Sequence, residues 1–178
     1  MHRMVLDLLD LAKLDAGTAD LNMMPVSVRA LLNAVAEKFM PQSQRAGVNI
    51  EVAAADDLPP LIADGDRLAQ VFTNLVDNAL KFTPNGGVIS LNAAVDDPAQ
   101  MRISVTDTGS GIPEEEQARI FQRFYQSDPS RQGGASHGAG LGLAIAHEII
   151  AAHGGRISVR SRAGEGTTMD VLLPLAPK

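Results

Sequence analysis

Arg156-Ile157-Ser158-Val159-Arg160, followed by Thr168-Met169-Asp170-Val171-Leu172-Leu173, decides the fold. Apolar side chains at alternate positions (Ile157, Val159; Met169, Val171, Leu173) interleave with polar ones (Arg156, Ser158, Arg160; Thr168, Asp170). A period of two puts the apolar set on one face of a strand and the polar set on the other, so one face of the sheet meets water. Upstream, Ile89, Leu91, Ala93 and Val95, then Met101, Ile103 and Val105, repeat the alternation around an Asp97-Pro98 turn. The helices must then cover the apolar face. The pattern predicts an α+β protein: a two-layer α/β sandwich with a mixed, mostly antiparallel sheet and helices on one face.

The helices read from a period of 3.6. Ser27 caps a helix with Val28, Leu31, Leu32, Val35, Ala36, Phe39 and Met40 on one side, and Asp64 caps another with Leu68, Val71, Phe72, Leu75, Val76, Ala79 and Leu80. Pro113 opens a short helix, and Leu141 to Ala152 is a helix ending at Gly154-Gly155. Val48 to Val52 and Leu61 to Ala63 are short strands. Residues 1–15 carry apolar side chains at Met1, Met4, Val5, Leu8, Leu9, Leu11, Ala12 and Leu14, a stripe wide enough for a helical-bundle seam, and Gly17 ends it. This helix is expected to be a piece of a longer helical element, joined by a linker at 18–26 to a domain spanning 27–178.

Three segments carry the chemistry. Asn74, Asn78 and Lys81 lie at i, i+4 and i+7 on one helix face, bordering the apolar stripe. Amide oxygens suit a hard cation such as Mg²⁺, which shares its shell with water and phosphate. Asp107 has the strand parity of Met101, Ile103 and Val105, so it points to the core, where an unpaired charge is costly. It either caps the turn that follows or accepts a hydrogen bond from the exocyclic amine of adenine; Gly109 and Gly111 allow a flat base to approach the backbone. Gly138, Gly140 and Gly142 run into a helix N-terminus, a seat for phosphate. Their spacing fits neither the phosphate loop that ends in Gly-Lys-Ser/Thr nor a Rossmann fingerprint. Together the segments point to a Mg-nucleotide site.

Five stretches in order resemble one family. Asp66-Arg67-Leu68 through Thr83-Pro84 resembles the asparagine box of the ATP-binding domain of bacterial sensor histidine kinases, within the gyrase and heat-shock-chaperone ATPase superfamily. Asp107–Ile112 is similar to its first glycine box, Ile120-Phe121-Gln122-Arg123-Phe124-Tyr125 to its phenylalanine box, Gly138–Leu143 to its second glycine box, and Gly164–Thr168 to its last. The resemblance covers residues 15–175 and implies a Bergerat-type fold that binds Mg-ATP and passes the γ-phosphate to a histidine. It implies that Asn78 ligates Mg²⁺ with help from Asn74, that Lys81 contacts phosphate, and that Phe82 packs near adenine. Asp107 would read the adenine amine, supported by Thr167 through a water. Gly109, Gly111, Ile112, Phe121, Tyr125, Gly138, Gly140, Leu141, Gly142 and Leu143 would complete the nucleotide site, and residues 113–140 would form a lid. Arg123 or Arg131 would reach the γ-phosphate; Gln126 stands where many relatives carry Arg, which puts more weight on Arg123.

Asn74, Lys81 and Arg123 are therefore the expected catalytic residues. Hydrolytic members of the superfamily carry Glu at the position of Asn74, where it activates water; an amide cannot be that base, so Asn74 is expected to favour transfer over hydrolysis. None of His2, His137, His147 and His153 sits in the His-Glu/Asp-x-Arg-Thr-Pro context of a phosphoacceptor. His147 and His153 read as helix-surface and helix-end residues, the latter complementing the helix dipole. Residues 1–17 resemble the end of the second helix of the dimerisation hairpin, so the acceptor histidine is expected on a separate helical domain, with a response regulator downstream. Two alternatives are a non-catalytic ATP-binding module and a serine kinase of the anti-sigma type.

Composition bounds these readings. With 178 residues the chain can bury one core and carry a small appendage. A net charge of −6 and a pI near 5.1 argue against nucleic acid as a partner. Zero cysteines exclude disulfides and thiolate metal sites, in keeping with the cytosol. No run approaches the ~20 apolar residues of a bilayer span, so no membrane contact is expected of this segment, although a full-length protein can be anchored. Weak self-association through helix 1–15 is the remaining expectation.

Overall fold

The computed structural model describes residues 2–126 and 140–175. In chain order these form α1 (His2–Asp15), β1 (Met24–Val26), α2 (Val28–Ala46), β2 (Asn49–Ala54), β3 (Leu61–Ala63), α3 (Gly65–Phe82), β4 (Val88–Asp97), β5 (Gln100–Asp107), α4 (Glu114–Gln117), α5 (Gly142–Ala152), β6 (Arg156–Arg162) and β7 (Gly166–Pro174). The main sheet has the order β2-β4-β5-β7-β6. β2 pairs with β4 in parallel, across the crossover that contains α3, and the β4–β5, β5–β7 and β6–β7 pairs are antiparallel. The sequence reading of a mixed, mostly antiparallel sheet is what the chain forms.

One face of the sheet is packed and the other is polar. Ile89, Leu91, Met101, Ile103 and Val171 are fully buried against Leu32, Phe72, Leu75, Ile145 and Ile149 from α2, α3 and α5. On the outer face Asp170 is 2% exposed, because Arg160 at 2.6 Å, Arg102 at 3.7 Å and the Ser104 hydroxyl at 2.7 Å surround it. These partners outweigh the desolvation that would raise its pKa, and the net shift is downward.

Three local features go beyond the sequence reading. Residues 24–26, read as the end of a linker, form a strand that pairs antiparallel with β3 (Met24↔Ala63, Pro25↔Ile62, Val26↔Leu61). Three residues with a central proline show no periodicity, and an edge strand tolerates the missing donor. α2 continues through Pro41 to Ala46, because Phe39 and Ser43 are buried on its inner face and Gly47 closes it at φ 66°. Tertiary packing there overrides the helix-breaking tendency of proline.

His153 is the third. It is a helix-end residue as expected, yet it is 7% exposed and does not simply face solvent at the dipole. Its Nδ1 donates to the Ile149 carbonyl at 2.7 Å, and its Nε2 accepts the backbone N–H of Asp64 at 3.0 Å.

Asp64 is the N-cap of α3: its carboxylate accepts the backbone N–H groups of Arg67 at 3.1 Å and Asn22 at 3.0 Å. Burial alone would raise its pKa, but those two bonds, with Arg67 nearby, leave it lowered.

α1 lies against α5. Leu11 and Leu14 are buried there, each contributing about 1.5–3 kcal/mol of apolar burial, while Met4, Val5, Leu6, Leu8 and Leu9 remain exposed. Asp10 of α1 pairs with Arg67 of α3 at 2.6 Å. Among the described residues no helix is long and apolar enough to cross a membrane.

Candidate functional site

The site forms where the C-terminal end of β5 meets the start of β7, the C-terminal half of α3 and the N-terminus of α5. Asp107 is the last residue of β5, opposite Ile89 on one side and Thr167 on the other. It is 9% exposed and on the core face, as its parity predicts. Its Oδ1 accepts the Gly109 backbone N–H at 2.9 Å, so it does cap the turn. Burial pushes its pKa up; the Gly109 and Thr167 backbone N–H groups pull the other way without cancelling the rise. An ionised carboxylate has about four lone-pair positions, so two backbone donors leave it able to accept a third from a ligand. Capping and ligand recognition are compatible here.

The glycines beside Asp107 hold chain segments together. A Cβ on Gly109 would collide with the Phe82 carbonyl, one on Gly111 with the Arg162 carbonyl, and one on Gly166 with the Asp107 carbonyl. Ser110 N–H donates to the Phe82 carbonyl at 3.3 Å, and Gly164 N–H donates to the Ser110 carbonyl at 2.6 Å. The end of α3, the first glycine turn and the last one are therefore one unit.

Ser161, which the sequence reading passed over, closes that unit. Its Oγ accepts the Ile112 N–H at 2.7 Å and donates to the Gly166 carbonyl at 2.8 Å. The Thr167 hydroxyl, 2.9 Å away, must then be the donor to Ser161. Gln117 Nε2 donates to the carbonyls of both Ile112 and Ser161, at 3.0 and 2.9 Å. Thr167 thus supports Asp107 by its backbone and Ser161 by its hydroxyl.

On α3, Asn74, Asn78 and Phe82 are partly buried along the face turned to the site, and Lys81 is more exposed. Lys81 Nζ sits 3.1 Å from Asp77. Asn74 Nδ2 donates to the Gly142 carbonyl at 3.1 Å, which fixes its amide orientation and joins α3 to the first turn of α5. Among the described residues that first turn begins at Leu141 without a side-chain cap, and the open backbone N–H groups of a helix start suit an anion. Amide oxygens, an ammonium and an uncapped helix start in one place fit a cation-bound polyphosphate.

Phe121 stacks obliquely on His147 at 5.7 Å, and Arg119 lies 4.9 Å from the Tyr125 ring. Phe124 adopts φ 62°, unusual for a bulky side chain, and its N–H donates to the Gly140 carbonyl at 3.0 Å. Leu143 is partly buried against the core. Arg123 forms an ion pair with Asp15, the last residue of α1. Gly138, Arg131 and His137 lie outside the described residues.

Comparison with known proteins agrees with this geometry. The family model described as histidine kinase-, DNA gyrase B- and HSP90-like ATPase matches residues 63–177. The chain belongs to that ATPase family. Within it, its relatives include proteins named as sensor proteins and histidine kinases. It is 37% identical to the sensor protein DivL of Caulobacter vibrioides, over 98% of this chain and 22% of that protein. It is also 37% identical to the alginate biosynthesis sensor protein KinB of Pseudomonas aeruginosa, over 98% of this chain and 29% of that protein. The chain thus spans less than a third of the length of either. Among solved structures, full-length ShkA in complex with AMPPNP superposes with a TM-score of 0.88 at 38% identity, covering 99% of this chain and 36% of that one. The catalytic domain of the histidine kinase ThkA gives 0.75 at 28% identity, covering 88% and 99%. These likenesses bear out the Bergerat-type fold.

Proposed function

We propose that this chain binds Mg-ATP and transfers its γ-phosphate to a histidine on a separate helical domain, as the catalytic half of a two-component sensor kinase. One observation carries the reading: a core-facing carboxylate, Asp107, sits in a glycine turn that is bonded to the end of α3, the same helix whose Asn74 is bonded to the start of α5. The AMPPNP bound by ShkA, a relative of the same fold, supports it. Asp107 accepts the adenine amine. Phe82, Ile112, Phe121, Tyr125, Leu141 and Leu143 line the nucleotide with Gly109, Gly111, Gly138, Gly140 and Gly142. Asn78, with Asn74 beside it, holds Mg²⁺, which when bound neutralises charge on the phosphates.

Lys81 exchanges Asp77 for phosphate, and Arg123 meets the γ-phosphate. Neutral imidazole is already a nucleophile near pH 7, so transfer needs no base from this chain, consistent with an amide at Asn74. Residues 1–17 are the end of a dimerisation hairpin, 18–26 connect it, and 27–178 are the catalytic domain. Helix 1–15 self-associates weakly through its exposed apolar residues, a response regulator receives the phosphoryl group, and the domain works in the cytoplasm, where ATP is.

The test is transfer of label from γ-labelled ATP to an added helical-hairpin domain bearing an acceptor histidine. Acid-labile, alkali-stable labelling of the hairpin that needs Mg²⁺ and is lost in Asp107→Asn is the expected result. Nucleotide binding without transfer would leave a regulatory ATP-binding module; labelling on serine would point to the anti-sigma type of kinase.

A further inference from the structure

α1 is tied by ion pairs to α3 and to the segment between α4 and α5. Asp10 pairs with Arg67, seven residues before Asn74 on α3, at 2.6 Å, and Asp15 pairs with Arg123 between α4 and α5. Leu11 and Leu14 hold the stretch between the two aspartates against the core. The same short helix therefore grips both the element that carries Asn74, Asn78 and Lys81 and the arginine assigned to the γ-phosphate. The pairs differ in exposure. Asp10 and Arg67 are 21% and 25% exposed, so that pair anchors; Asp15 and Arg123 are 45% and 44% exposed, so that pair is exchangeable.

We infer that Asp15 is a positioning residue that holds Arg123 on α1 in competition with the γ-phosphate, coupling the docking of α1 to whether a nucleoside triphosphate or diphosphate is bound. The inference rests on the reading of Arg123 given above. While Asp15 neutralises the guanidinium, a triphosphate must displace a carboxylate to recruit it, and a diphosphate has no group to do so. By linkage, whatever lifts the end of α1 frees Arg123 and tightens the triphosphate, and bound triphosphate in turn loosens α1.

The experiment is calorimetric affinity for AMPPNP and for ADP, both with Mg²⁺, in the wild-type chain, Asp15→Asn, Arg123→Gln and the double variant. Asp15→Asn is expected to raise the AMPPNP-to-ADP affinity ratio about two- to fivefold, the worth of one exposed ion pair. The gain should shrink at high salt and vanish in the Arg123→Gln background. If Arg123→Gln lowers the ratio but Asp15→Asn leaves it unchanged, the inference falls and the role of Arg123 stands. If Arg123→Gln does not move the ratio, both fall. A purely structural Asp15 would change both affinities alike, or only the melting temperature, and that result also overturns the proposal.

Discussion

His153 Nε2 accepts the backbone N–H of Asp64 at 3.0 Å, joining the C-terminus of α5 to the N-cap of α3 across 89 residues of sequence. The two helices that this bond ties together contribute Asn74 and the open helix start to the same cleft, so it sets their relative position. Because Nδ1 donates to the Ile149 carbonyl at 2.7 Å, the ring has one donor and one acceptor, each used.

His153→Leu keeps the volume and removes the acceptor, leaving the Asp64 N–H buried without a partner. The expected cost is about 1–3 kcal/mol in urea unfolding, with an unchanged m-value. An equally stable variant would mean that water reaches that N–H.

Asp107 and Asp64 should respond to pH with opposite signs. The folded pKa of Asp107 is raised, chiefly by burial, so its ionisation weakens the fold as pH rises through that value. Asp107→Asn is therefore expected to match or exceed the wild type in melting temperature at pH 7. That advantage should disappear at acid pH, where both side chains are neutral. The same variant should lose at least about tenfold in affinity for ATP, the worth of a hydrogen bond to a charged acceptor. A melting temperature well below wild type at pH 7 would show that the carboxylate is needed for the turn itself.

Asp64 works the other way. Burial would raise its pKa, but the Asn22 and Arg67 N–H groups leave it lowered, so its contribution is present above the ordinary carboxylate value and is lost as pH falls through the folded one. Asp64→Ala removes the α3 cap and is expected to cost about 0.5–2 kcal/mol at neutral pH. The gap to wild type should narrow on acidification. Melting curves between neutral pH and pH 3 check both aspartates in one series, and a gap that widened would reverse the assignment.

The alternation in β4 to β7, the Ser27 and Asp64 caps and the inward parity of Asp107 were legible in the sequence because each is a local, periodic signal. The other features depend on residues far apart in the chain. Asp64 and His153 are 89 residues apart, Ile112 and Ser161 are 49 apart, and Asp15 and Arg123 are 108 apart. Ser161 reads as one more polar residue on a strand until β6 and β7 pair and bring it beside Ile112 and Gly166. The Asp15 partner of Arg123 is equally invisible, since an aspartate at a helix end usually faces solvent. Continuation of α2 through Pro41 was hidden for a different reason: a strong local breaker signal was overridden by the burial of Phe39 and Ser43.

Gly164 and Gly166 separate two costs that a glycine motif usually confounds. Both have positive φ, 80° and 89°, so an alanine at either meets the left-handed penalty of roughly 1–2 kcal/mol. Around Gly164 a Cβ would meet nothing within 4 Å, whereas at Gly166 it would run into the Asp107 carbonyl, which is held in the β5–β7 ladder. Gly164→Ala should therefore cost only the backbone term and keep most nucleotide affinity. Gly166→Ala must push β7 away from β5 at the residue pair Asp107 and Thr167, lowering stability further and displacing the carboxylate proposed to read adenine. Urea unfolding with AMPPNP titration of both variants decides it: equal losses would mean that backbone conformation alone, and not the close approach of the two strands, is what the glycines provide.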